Sequence, residues 1–263
     1  MIPPPPDPAF HWRREAWGLA LRCRALAAAA QHLFTSRQLA LPDGESWRLV
    51  SASLGSTPDR VMRVKQVHGN SVRVLARGHV PERAHEQRPD GDAIVSNQAG
   101  LVLAVMVADC VPVLIVDPVR GAAAAVHAGW RGTCAQVVAA AIAAMQREFG
   151  TKPADAMAAI GPSVGPDDYE VGESLIEAFI KAGHSSEHIN RWFIQTLPKP
   201  HLDLWRANAD QLAASGVRRD RIFTCGLSTV GHPAVFHSYR LEGERAGRMA
   251  GIIVVPASAQ TPA

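Results

Sequence analysis

The sequence predicts an α+β fold, a mixed α/β layered sandwich built around mixed sheets. Three observations point to it. The apolar runs over residues 101–108 and 111–117 lack polar alternation, as expected of strands covered on both faces. Strands and helices follow one another in mixed order, not as a regular strand–helix–strand series. A hydrophobic content of 47% in 263 residues is ample for one large core. The expected organisation is a loose tail over 1–15, a single domain over 16–256 and a second tail over 257–263.

Residues 1–15 are rich in proline and then charged, hence the tail. Residues 17–33 are rich in alanine, and propensity predicts a helix; QHLFTSR at its end reads alternatively as a strand entering a site. Residues 41–58, with Gly, Pro and Ser at intervals, read as loop with short strands. VMRVKQV and SVRVLA alternate apolar and polar residues around His68-Gly69-Asn70, which predicts two half-buried antiparallel strands. Residues 79–90 are polar and read as a mobile loop. Strands are expected over 92–96, 101–108, 111–117 and 122–127. A helix over about 133–149 carries Val137, Val138, Ile142 and Met145 on one stripe. Further strands are expected over 156–160, 201–204, 221–225 and 252–255, and helices over 172–182 and 204–215, the latter stopped by Gly216.

Composition narrows the function. A net charge of +3 without a long Lys/Arg run predicts no nucleic-acid partner. The longest apolar run is broken by Asp109 and Pro112, so no membrane span is expected. The N-terminus lacks the apolar segment of a secretory signal. Four scattered cysteines with no C-x-x-C pair argue against a disulfide framework. A cytoplasmic location follows. Oligomeric state is not legible.

The chemistry concentrates in residues 91–133. Cys110 and His127 stand at the ends of buried strands, and His68 stands upstream in KQVHGN. A free Cys is most often buried and structural. Asp109 beside it shifts that balance, because an Asp in an apolar run must find a partner. Pro112 cannot donate to a ladder and marks an edge or strand break near the thiol. Two imidazoles and one thiolate are three protein ligands with a fourth position open, the arrangement of catalytic zinc; copper suits the same donors. If only Cys110 and His127 meet, a cysteine nucleophile with a His base is the alternative. Arg131 after Trp130 reads equally as a surface Arg stacked on an aromatic ring or as an anion clamp. Tyr169 reads as core, and Arg240 and Arg248 as cations of solvated loops.

At KQVHGNSV, GDAIVSN, VADCVPVLIVD, HAGWRGT, IGPSVGPDDYEVG and FHSYRLEGERAGRMA the chain resembles the YfiH family, also called the laccase-domain or polyphenol oxidase family. The likeness spans residues 33–255. It implies a mixed α/β sandwich related to the cytotoxic necrotizing factor cysteine hydrolases. It implies a metal, most often zinc, on His68, Cys110 and His127, with Arg131 in the catalytic set and Arg37, Gln66, Tyr169 and Arg240 as substrate contacts. The implied activity is phosphorolysis of adenosine, inosine, guanosine and methylthioadenosine, and deamination of adenosine, with purine nucleoside and phosphate as partners. Older family labels say copper polyphenol oxidase, and some members are linked to peptidoglycan-precursor editing. The chain departs from the family pattern in four places. Asp167 and Asp168 stand where a Cys is usual, SYRL replaces SYRR, Ser53 stands in place of the Asn of N-L-G, and QLALPDG replaces a Gly-rich stretch after Arg37. These departures touch substrate contacts and leave the three ligands intact.

Overall fold

The computed structural model describes residues 2–41, 44–80, 84–195 and 198–257. Its strands are β1 (Phe10–Glu15), β2 (Gly18–Cys23), β3 (His32–Thr35), β4 (Val61–Met62), β5 (Val72–Leu75), β6 (Ala93–Ser96), β7 (Val102–Val107), β8 (Val111–Asp117), β9 (Ala122–Ala128), β10 (Met157–Ile160), β11 (Phe193–Ile194), β12 (His201–Leu202), β13 (Ile222–Thr224) and β14 (Met249–Val254). The helices are α1 (Arg24–Ala27), α2 (Gly44–Ser53), α3 (Trp130–Cys134), α4 (Val137–Phe149), α5 (Glu173–Lys181), α6 (Ser186–Trp192), α7 (Leu204–Ala214) and α8 (Tyr239–Glu242). No described helix is long and apolar enough to cross a membrane.

Two six-stranded mixed sheets stack face to face. One runs β1-β2-β3-β14-β7-β4 and the other β13-β10-β8-β9-β6-β5. Their facing sides bury Leu103, Val105 and Ile253 against Ile94, Leu114 and Ala125. The outer side of the second sheet, with Val113, Ile115 and Val126, is covered by Val138, Ile142 and Leu212 of α4 and α7. The outer side of the first is covered by Trp47 and Val50 of α2. Alternate residues of β8 therefore enter different cores, and both are apolar, which is why its run shows no alternation.

Most expected elements are present with ends shifted by one to three residues, and the differences have physical causes. Phe10–Glu15 is not tail; it pairs along its whole length with β2. The helix expected over 17–33 shrinks to α1, because Leu21 and Ala20 of β2 enter two different cores and this burial outweighs alanine propensity. The alternative strand at HLFT is correct. Residues 44–53, expected as loop, form α2, whose Trp47 and Val50 share one buried stripe that Leu54, just past the helix end, extends. The strands around His68 are not an antiparallel pair. β4 lies parallel to β7 in the first sheet and β5 parallel to β6 in the second, so His68 sits on a crossover between sheets. Pro112 marks no edge: β8 lies between β10 and β9, and Pro112 is its second residue, marking where the strand starts. The helix after β9 is split at Gln136, whose φ of 59° breaks it into α3 and α4. In 79–90, residues 81–83 lie outside the described residues, as do 258–263 of the expected C-terminal tail.

His32 in β3 supplies a pH test. Its ring is fully buried, Cys23 N–H donates to Nε2 at 2.9 Å, and Nδ1 meets the Ala30 carbonyl at 3.0 Å. Nε2 is thus an acceptor and the ring is neutral. Burial pushes its pKa from 6.5 down to about 4. The unfolded chain takes up this proton near 6.5 and the folded one does not, so stability is full above that pH and falls as pH drops toward 4. The loss reaches about 3 kcal/mol. Denaturant melts between pH 7 and 4 should show this slope, and His32→Gln should flatten it; parallel pH profiles in the two proteins would exclude His32 as the source.

Candidate metal centre

The register of the β8–β9 hairpin builds the centre. Val111 pairs with Ala128 and Pro112 with His127, so one step further out Cys110 lies across from Gly129. A Cβ at Gly129 would stand 2.8 Å from Cys110 Sγ, which leaves glycine as the residue that admits the thiol. Ala93 pairs with Val126, which sets Asp92 beside His127, and His127 N–H donates to the Asp92 carbonyl at 2.7 Å. The crossover from β4 to β5 then brings His68 over the hairpin end. The His68 and His127 rings meet edge to face at 4.9 Å.

Asp92 holds these pieces together. Its fully buried carboxylate accepts the backbone N–H groups of Val67 (3.3 Å), His68 (2.9 Å) and Gly69 (2.6 Å), and meets His127 Nδ1 at 2.8 Å. Burial would raise its pKa, yet the His127 bond and these backbone donors hold it below the usual carboxylate value. His68 adopts φ 62°, a left-handed conformation that costs a non-glycine residue energy and that these bonds sustain.

The ligand atoms of His68, Cys110 and His127 all lie within 4.8 Å of one another, with His127 buried, Cys110 half-buried and His68 exposed. Burial disfavours the Cys110 thiolate, but hydrogen bonds from His127 and His68 and their charges draw its pKa below that of a free thiol. Burial also opposes the His127 cation, while Asp92 and Cys110 push its pKa up. The donor set fits a metal. The thiol is poised to ionise, Asp92 occupies Nδ1 of His127 and leaves Nε2, and the exposed side of His68 leaves an open position.

Asp109, expected to need partners, has them. Its carboxylate accepts Thr229 Oγ1 (2.5 Å), Ser238 Oγ (3.0 Å) and Arg240 N (2.6 Å), and its carbonyl accepts Val164 N (3.0 Å), at φ 81°. Three loops thus converge on the residue before Cys110.

Two cavities open from the centre. One of about 270 Å³ is lined by Trp130, Val164, Tyr169, Leu204 and Arg240 beside the centre. The other, of about 620 Å³, adds Val64, Gln66, Met106, His127 and Arg248. Arg131 borders both and lies 4.4 Å over the Trp130 ring. Thr133 of the same helix is held from α7 by Asn208 (3.1 Å) and Gln211 (2.8 Å). Burial pushes the Tyr169 phenol up to about 12, so it is neutral.

His68, Cys110, His127, Arg131, Tyr169 and Arg240 are thus brought together. Gln66 lines the larger cavity, but both ends of its amide are bonded to the backbone of Met106 at 2.7 Å. Arg37 joins neither wall. Its guanidinium donates to the carbonyls of Pro233 and Phe236 and meets Glu242 at 3.5 Å, so it braces the segment that carries Tyr239 and Arg240. The sequence reading missed Asp92 as part of the centre, and also Gly129, Trp130 and Tyr239. Its one available signal for Asp92 was a carboxylate at the mouth of the apolar AIV run.

A family model described as multi-copper polyphenol oxidoreductase laccase matches residues 44–256. The chain is 35% identical over 210 residues to a purine nucleoside phosphorylase of Bacteroides thetaiotaomicron, covering 78% of this chain and 77% of that one. It is 34% identical over 200 residues to purine nucleoside phosphorylase YfiH of Escherichia coli, covering 76% and 75%. The crystal structure of YlmD from Geobacillus stearothermophilus superposes with a TM-score of 0.82 at 28% identity, over 93% of this chain and 98% of that one.

Asp92→Asn keeps the shape but sets an amide N–H against backbone donors. Its expected effect is a loss of metal affinity of about 10- to 100-fold, read by competition with a chromophoric chelator. Unchanged affinity would remove Asp92 from the centre's support.

Proposed function

The chain belongs to the multi-copper polyphenol oxidoreductase laccase family, and from that premise we propose that it is a zinc-dependent purine nucleoside phosphorylase that also deaminates adenosine. The observation that carries the reading is one cluster. His68, Cys110 and His127 converge at the mouth of cavities bordered by an aromatic wall and by Arg131, whose guanidinium has no ion-pair or hydrogen-bond partner among the described residues. The relatives' names supply the substrate class: purine nucleosides and phosphate.

His68, Cys110 and His127 would hold the zinc ion, which would supply Lewis acidity there. The chain's own residues do the rest. Arg131, fixed by stacking on Trp130, offers a cation to an anionic reactant without first breaking an ion pair. Trp130 and Tyr169 offer faces to a planar base. Asp109 sets the position of the Arg240 backbone through the bond that Arg240 N donates to it.

The same geometry favours a second reading. Asp92, His127 and Cys110 form a hydrogen-bonded chain in the order of an orienting acid, a base and a nucleophile. His68 separates the two, being a ligand in the first and dispensable in the second. For a multicopper oxidase the ligand count is short: the described residues hold this single cluster of three or more such donors.

Metal content by mass spectrometry and turnover of inosine and adenosine test the proposal. About one zinc per chain is expected, with hypoxanthine released from inosine only when phosphate is present, and both metal and turnover lost in Cys110→Ala and His68→Ala. A metal-free protein inert toward nucleosides would sink the reading. His68→Ala that stays fully active on an ester or amide would move the assignment to the cysteine hydrolase.

A further inference from the structure

The two cavities are unlike, and they share one wall made by His68, Ala108, Cys110, Arg131 and Tyr239. Beyond that wall the smaller cavity is mainly aromatic and apolar, with Trp130, Tyr169, Val164 and Leu204, and its one carboxylate, Asp109, is already taken by Thr229, Ser238 and the Arg240 backbone. Its own cation, Arg240, is already engaged: the guanidinium donates to the Glu170 carbonyl and lies 5.3 Å over the Tyr169 ring. The larger cavity has no aromatic ring beyond the shared Tyr239 and His68 apart from His127, and it contains Arg248. Among the described residues only Nη1 of the Arg248 guanidinium is bonded, to the carbonyls of Ala246 (2.6 Å) and Gly247 (3.1 Å), so the group is anchored by one nitrogen and presents the others. Arg131 stands between the two cavities.

Phosphorolysis needs this kind of division. A phosphate oxygen forms the bond to C1′ of the ribose as the C1′–N9 bond breaks. The electron pair of that bond leaves with the base, the proton of hydrogen phosphate ends on the base, and nothing is oxidised or reduced. In an in-line displacement the entering and leaving groups lie on opposite sides of C1′. A purine needs flat faces; a phosphate needs fixed cations and room for its water.

Resting on the phosphorylase reading, we propose that the two cavities divide the reactants. The purine lies against Trp130 and Tyr169 in the smaller one, the phosphate is held between Arg131 and Arg248 in the larger one, and the ribose lies across the shared wall. Arg248 is then the residue that holds phosphate as the acceptor, from the cavity that Arg240 does not line.

The test is binding of inorganic phosphate and of hypoxanthine, each titrated alone by calorimetry into the metal-loaded protein, alongside KM values for phosphate and inosine. Arg248→Met should weaken phosphate about tenfold in both Kd and KM and leave hypoxanthine within about twofold. Arg248→Lys, which keeps the charge, should recover most of the loss. Tyr169→Leu should do the converse, weakening hypoxanthine about tenfold and sparing phosphate. An Arg248→Met protein that binds phosphate like wild type, or a Tyr169→Leu protein that loses phosphate and keeps hypoxanthine, overturns the division while wild-type turnover leaves the phosphorylase reading standing. A wild-type protein that does not convert inosine with phosphate overturns that reading, and this inference with it.

Discussion

Four donors converge on one buried carboxylate, and the centre is organised around that convergence. Asp92 lies at the entry of β6, where it reaches both the hairpin of the second sheet and the loop that crosses from the first. A carboxylate sealed from water must have its lone pairs occupied. The backbone of residues 67–69 does this, and in doing so it is bent into a conformation a histidine would not choose alone. His127 does it from the other side, which aims its remaining nitrogen at Cys110. The packing of the two sheets sets how far the crossover must travel; Asp92 sets where it lands.

Much of the layered core was legible because burial on both faces leaves a mark in composition. The runs of β7 and β8 announce themselves by their lack of polar residues. What was not legible was pairing. Alternation in VMRVKQV and SVRVLA says that each strand has one covered face, and it says nothing about which strand lies alongside. The N-terminal hairpin was hidden for a different reason: alanine favours helix locally, and only the two cores that β2 fills reverse that preference. In α2 the stripe of Trp47 and Val50 was diluted by Ser and Gly.

The candidate site shows the same limit one level down. His68, Cys110 and His127 stand out because their side chains are unusual where they occur. The arginines do not sort themselves in this way. Arg37, Arg131, Arg240 and Arg248 look alike in sequence, but Arg37 braces carbonyls of a neighbouring segment, Arg240 caps Tyr169, and Arg131 lies free on an indole ring. What separates them is the set of acceptors within reach, and that depends on how residues far apart in the chain are folded together. Asp109 was visible as an anomaly and Asp92 was not, and the partners of both come from as far away as residues 127, 229 and 238.

The glycines around the centre have a consequence for how such a pocket can change over time. At Gly129 the missing side chain makes room for Cys110 Sγ, and at Gly132 a Cβ would press to 3.0 Å on the Gly69 carbonyl. The floor of the site is thus kept open by two missing side chains, one facing the Cys110 thiol and the other the Gly69 carbonyl. The rest of the wall is different: Tyr169, Leu204 and Tyr239 are side chains from three separate segments. Bulk added at either glycine would press on the metal-binding corner itself, whereas a change at one of these three side chains alters the shape of the pocket above it and leaves those two close approaches as they are.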